Sequence, residues 1–153
     1  MSVELISGSH SVGEANYHMG FTPAYRRPIF RSREVWVLTR DYMVAAAKRH
    51  GITIRAVDCG PDHCHVFTAA CKNHSPSHVA MLLKGFSSYM MRKNHWELFA
   101  DDLYGDKFWS GGYFYRTVGA VNAATVERYV KESQRKHWVK PLGQRKLLEF
   151  GAN

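Results

Sequence analysis

The sequence predicts an α+β fold, an antiparallel sheet with helices on one face, and three observations carry that prediction. Residues 52–57 and 63–70 are apolar and β-branched or alternating, and the turn chemistry of Cys59, Gly60, Pro61 and Asp62 between them makes them a hairpin. Residues 32–50 and 75–93 instead repeat their apolar positions at helical spacing. The resulting order is strand, helix, strand, strand, helix, strand, helix. This is a split βαβ sandwich of the ferredoxin-like or RRM-like kind, with one helix appended.

The elements follow in order. The first thirteen residues, with Ser2, Ser7, Gly8, Ser9, Ser11 and Gly13, read as a flexible lead-in. Residues 16–21 are short and aromatic, are closed by Thr22 and Pro23, and predict the first strand; Tyr25, Arg26, Arg27 and Pro28 form a basic turn. Val35, Leu38, Met43 and Ala46 mark a helix that starts at Ser32 or Arg33 and stops before Gly51. Ser75 followed by Pro76 offers an N-cap and a first-turn proline, and Val79, Leu82, Leu83, Phe86 and Met90 give the second helix its face. Residues 94–112 have no clean period, and residues 113–118 read as a strand. Asn122 caps a last helix carrying Val126, Tyr129 and Val130 to about His137, with residues 139–153 as a basic tail. A chain of 153 residues fits one domain.

Composition narrows the function classes. With 45% hydrophobic and 22% charged residues and no apolar run of about 18 residues, the chain is globular rather than membrane-spanning. It carries no export-type leader pattern, so a cytoplasmic location is expected. Cys59, Cys64 and Cys71 match no zinc-finger spacing and read as free thiols. Lysine and arginine exceed aspartate and glutamate by 21 to 13, a net charge of +8 that favours a polyanion, above all nucleic acid.

Chemistry concentrates in two stretches. In Pro61-Asp62-His63-Cys64-His65, residues two apart on a strand share a face roughly 6.6 Å apart, at about 3.3 Å per residue, so His63 and His65 can converge on one metal ion while Cys64 points to the core. In residues 126–134, Tyr129 sits on a helix with Glu132 and Gln134 downstream. Alone, either stretch is more often a packing feature.

Together they resemble the single-tyrosine HUH transposases of the smallest bacterial and archaeal insertion sequences. Tyr17-His18 leading into Tyr25-Arg26-Arg27-Pro28, the His63-Cys64-His65 strand, Leu83-Lys84-Gly85-Phe86-Ser87-Ser88, and Phe108-Trp109-Ser110-Gly111-Gly112-Tyr113-Phe114 are all similar to that family, over about residues 16–138. The resemblance implies a homodimer that binds DNA hairpins near the ends of a mobile element, with active sites shared between subunits. It also implies Mg2+ or Mn2+ held by His63, His65 and Gln134, and Tyr129 as the nucleophile that leaves a 5′-phosphotyrosine. Imidazole ligands by themselves suit zinc, nickel or manganese better than magnesium.

The third ligand stays open between two residues. Five positions at about 100° each place Gln134 some 140° around an ideal helix from Tyr129, whereas Glu132 lies about 60° away. Gln134 fits by residue type and Glu132 by geometry. A zinc site recruiting Cys59 or Cys71 is a further alternative. DNA contacts are expected from Arg26, Arg27, Arg31 and Arg33 and from Lys84, Arg92 and Lys93, with Arg116 a further phosphate contact and Tyr25, Trp109 and Tyr113 stacking on unpaired bases. A rolling-circle type nickase, a domesticated repeat-processing relative and a non-catalytic nucleic-acid-binding module are the competing functions.

Overall fold

The computed structural model describes residues 6–7, 12–13, 15–103, 105–119 and 127–132. Strand β1 (Ile6–Ser7) pairs antiparallel with β2 (Val12–Gly13) in a small ladder of its own, inside the stretch the composition reads as a lead-in. The main sheet is formed by β3 (Tyr17–Phe21), β4 (Thr53–Gly60), β5 (His63–Ala69) and β6 (Phe114–Thr117), ordered β4-β5-β3-β6 and antiparallel throughout. Helices α1 (Arg33–Arg49) and α2 (Pro76–His95) pack against each other. A last helical segment, α3, spans 127–132 and carries Tyr129.

Local sequence explains the boundaries. The Ser32 hydroxyl caps α1 by accepting from the Val35 amide, and Ser75 caps α2 by accepting from the His78 amide, with Pro76 in the first turn. Beyond α1, Gly51 takes a φ of +72°, a left-handed conformation that costs glycine little. The β4–β5 turn is only Pro61 and Asp62, because Cys59 and Gly60 belong to β4.

Strand alternation divides the sheet into two faces. Tyr17, Met19 and Phe21 of β3, with Cys64 and Val66 of β5, join the main core beneath α1 and α2, where Val35, Met43, Val79, Leu83 and Met91 are buried. The last buried methionine of α2 is thus Met91 rather than Met90. On the opposite face Ala56, Phe67, Val118 and Val130 form a separate small cluster, so α3 lies across the sheet from α1 and α2.

Two sequence readings are corrected by this packing. Cys59 and Cys64 are not free thiols: they face each other in the hairpin register and are joined in a disulfide, leaving Cys71 free and buried. Both of the cysteines offered to a zinc site are therefore committed elsewhere, Cys59 to Cys64 and Cys71 to hydrogen bonds with the Thr68 hydroxyl and the Ala69 carbonyl. Trp109 is not a stacking platform for bases; it is buried, packs on Phe21, Phe30 and Phe108, and donates its indole N–H to the Ser87 hydroxyl at 2.9 Å.

Candidate active site

β5 places His63 and His65 on the face opposite the main core, with ring centroids 5.5 Å apart. Each ring has its Nδ1 engaged. His63 Nδ1 lies 2.8 Å from an oxygen of Asp62, whose other oxygen accepts from Arg26 Nε at 3.0 Å. Burial pushes the Asp62 pKa up, but the hydrogen bonds from His63 and Arg26 and their charges outweigh it and hold the carboxyl below its ordinary value. Tyr25 and Arg26 both adopt left-handed backbone (φ 57° and 55°), which belongs to the turn that brings the guanidinium to Asp62.

His65 Nδ1 lies 3.0 Å from Nε2 of His18, which projects from β3 one diagonal step away: His65 faces Gly20 in the register, and His18 faces Phe67. His18 is 3% exposed. Its ring also meets Phe114 edge-on at 5.8 Å and Tyr129 edge-on at 6.2 Å. Burial, and then the charge of Arg116, lower its pKa and favour the neutral ring. Tyr129 is 54% exposed, and Val130 beside it is fully buried in the small cluster that fastens α3. Glu127 is buried as well and pairs with Lys131 one helical turn on, at 2.9 Å.

A cleft of about 530 Å³ opens beside the two histidines, lined also by Arg26, Thr22, Tyr113 and Phe114. The segment forming its far wall is tied down by Lys84, whose ammonium donates to the carbonyls of Ser110 and Gly112 at 2.8 and 2.9 Å. Burial lowers the Lys84 pKa. Arg92 donates to the Asp106 carbonyl at 2.7 Å beside a neighbouring depression of about 320 Å³ that Lys84 also lines.

The other sequence-selected residues divide by position. Arg31 is exposed after the first strand, Arg27 donates to the Asp102 carbonyl, and Arg33 lies over the Trp36 ring. Lys93 is exposed and lies over Tyr89. Arg116 stands on exposed β6, facing His18 in the register. Gln134, Asn122 and the basic tail lie outside the described residues. Glu132 is exposed on α3, and among the described residues no group of three or more His, Cys, Asp and Glu side chains is placed to hold a metal ion.

The donor set tests the metal reading. A closed zinc site needs four protein ligands, and two histidines do not supply them. Two imidazoles with fixed Nδ1 partners, at the wall of a cleft, do suit a divalent ion that completes its shell from substrate oxygens. Sequence reasoning quoted His18 only as part of a motif and gave Asp62 no role. The signal for His18 was its parity, since Tyr17, Met19 and Phe21 take the core face and leave it on the other.

The chain is 30% identical over 129 residues to the transposase for insertion sequence element IS200 of Salmonella typhimurium, covering 80% of this chain and 79% of that one. It is 25% identical over 134 residues to the ISDra2 transposase TnpA of Deinococcus radiodurans, covering 88% and 94%. A 1.90 Å crystal structure of a Deinococcus radiodurans protein assigned as a transposase superposes with a TM-score of 0.65 at 22% identity, over 84% of this chain and 98% of that one. A REP-associated tyrosine transposase bound to a REP hairpin superposes with a TM-score of 0.58 at 12% identity, over 88% and 73%. No helix among the described residues is long and apolar enough to cross a membrane. The IS200-like transposase family model matches residues 11–133, the whole of the main sheet, both large helices and α3, and the chain belongs to that family.

Proposed function

We propose that this chain cuts and rejoins single-stranded DNA at the ends of an insertion sequence, with Tyr129 as nucleophile and a divalent ion, Mg2+ or Mn2+, held by His63 and His65. The observation that carries this reading is the packing of His65 and Tyr129 around one buried ring, His18, on the sheet face beside the cleft. When bound, the ion would supply Lewis-acid polarisation of the scissile phosphate and charge for the departing oxygen. Gln134 is the proposed third ligand by residue type.

The chain's own groups do the rest. The Tyr129 oxygen attacks phosphorus and gives up its proton, the bond from phosphorus to the 3′ oxygen breaks, and that oxygen leaves as a 3′ hydroxyl after taking up a proton. The product is a 5′-phosphotyrosine. A second 3′ hydroxyl reverses the step on a new strand, so rejoining needs no ATP. Phenols have a pKa near 10, so roughly one Tyr in a thousand is ionised at neutral pH, and local positive charge favours the reactive form.

Arg26, Arg27, Arg31, Arg92 and Lys93 are proposed to follow the DNA backbone, and Lys84 to hold the wall along which it runs. Tyr25 and Tyr113, both exposed, are the stacking candidates. A homodimer with exchanged α3 helices is also proposed. In support, the described part of α3 is fastened to the sheet by one short apolar cluster, contacts that a partner subunit's helix would restore without loss.

The test uses labelled single-stranded and duplex DNA from the sequences flanking the gene, with Mn2+ or EDTA, on denaturing gels. A protein–DNA adduct on single strands, dependent on metal and lost in Tyr129→Phe, is expected. Tight hairpin binding with no adduct on any end sequence would replace this reading with a non-catalytic binding module.

A further inference from the structure

Two nitrogens 3.0 Å apart in a hydrogen bond need one proton between them. For His18 and His65 this leaves two arrangements. In the first, His65 carries its proton on Nδ1 and donates to His18 Nε2, so its lone pair is on Nε2. In the second, His18 donates, and the proton of neutral His65 sits on Nε2. A cation accepts only an unprotonated nitrogen. The two rings thus decide together whether His65 presents a ligand atom to the cleft.

We propose that His18 is a positioning residue for His65, an acceptor that selects the tautomer with the lone pair on Nε2. The proposal rests on the reading of His63 and His65 as the metal-holding pair. Three observations support it. His63 already has an acceptor at the same ring atom, Asp62 at 2.8 Å, so His18 completes a matched set. Ligating histidines elsewhere donate their second ring N–H to such an acceptor. Finally, His18 is held at a cost in either arrangement: it is 3% exposed, and its Nδ1, which carries the proton when Nε2 accepts, has no hydrogen-bond partner among the described residues, whereas buried polar atoms are generally paired. A residue serving packing alone would be apolar here.

The use of a ring rather than a carboxylate has a second effect. A flat side chain fills the space between His65 and Tyr129, touching both, so one residue sets the ligand's tautomer and spaces the nucleophile from it. A phenylalanine would preserve the spacing and lose the acceptor, which separates the two roles experimentally.

The experiment measures ring ¹⁵N shifts of metal-free protein by long-range NMR correlation and Mn2+ affinity by electron paramagnetic resonance, on wild type, His18→Phe, His18→Gln and His65→Ala. Wild-type His65 is expected to carry its proton on Nδ1. His18→Phe should weaken Mn2+ binding by about 10–100-fold. His18→Gln, whose side-chain carbonyl can accept, should retain most of it, with hairpin binding in EDTA unchanged in both. A wild-type His65 protonated on Nε2, or His18→Phe binding Mn2+ as wild type while His65→Ala does not, overturns the role of His18 alone. Equal Mn2+ binding by His65→Ala and wild type removes the metal reading, and this proposal with it. Should His18→Phe fail to fold, the wild-type tautomer and the His18→Gln affinity decide.

Discussion

Asp62 grips His63 at 2.8 Å with one carboxylate oxygen and Arg26 at 3.0 Å with the other, so the hairpin turn, the candidate ligand and the basic loop form one linked unit. Replacing the carboxylate removes the acceptor that orients the ring. Asp62→Ala should weaken Mn2+ binding and slow adduct formation by about tenfold or more. Asp62→Asn, which keeps an acceptor oxygen, should lose less. Titration of Mn2+ and single-turnover cleavage measure both; an unchanged Asp62→Ala would show that His63 is oriented by packing alone.

The cysteine arrangement gives a stoichiometric prediction. Cys71 is fully buried, and burial raises its thiol pKa, so the native protein should show no reactive thiol. Unfolding without reductant should expose one, and unfolding after reduction three. Two or three titratable thiols in the unfolded, unreduced protein would mean that Cys59 and Cys64 are not joined.

The hold on α3 is narrow enough to test separately from the sheet. Val130→Asp places a charge against Phe67 and Val118 and should release α3, with amide exchange accelerating in residues 127–132 while β3 and β5 stay protected. Adduct formation should fall with it. Global unfolding at ordinary temperature would show instead that the small cluster carries the whole fold.

Stacking and packing aromatics should separate in their effects. Tyr25→Ala is expected to lower single-stranded DNA affinity by about 1–3 kcal/mol, as loss of one base–aromatic stack does, with an unchanged Tm. Trp109→Phe should do the reverse: the Ser87 hydroxyl loses a donor, stability falls by about 1–3 kcal/mol, and affinity is retained. Thermal melts and binding titrations on both variants distinguish the roles.

Lys84 offers a pH signature. Because burial lowers its pKa, the unfolded chain binds more protons than the native one between the two values, and stability rises with pH in the interval just below the ordinary lysine value of 10.5. Lys84→Met should flatten that rise in melts at mildly alkaline pH, and should loosen the 108–114 segment it ties down. An unaltered slope would place the charge in solvent.

How far the sequence could be read follows from which signals are periodic. β3, α1, the β4–β5 hairpin and α2 announce themselves by alternation, helical spacing and caps, and the pair His63 and His65 follows from strand parity. The two-residue strands β1 and β2 are too short for any period. The disulfide escaped because Cys59 and Gly60 look like turn residues; once the turn is only Pro61 and Asp62, Cys59 and Cys64 fall opposite each other. Trp109 lies in an aperiodic segment, where nothing in the spacing says which side chains turn inward. Parity puts His18 on the face away from the core, but its contact with His65 needed the pairing of β3 with β5, a long-range fact that no local pattern carries.

The alternation along β5 also bears on how such a protein can change. Cys64 and Val66 hold the architecture while His63 and His65 line the cleft, so the two duties occupy separate letters of the same word. Substitution can therefore rewrite the chemistry without disturbing the foundation. A single inserted or deleted residue cannot, because it would exchange the two sets and lose both together.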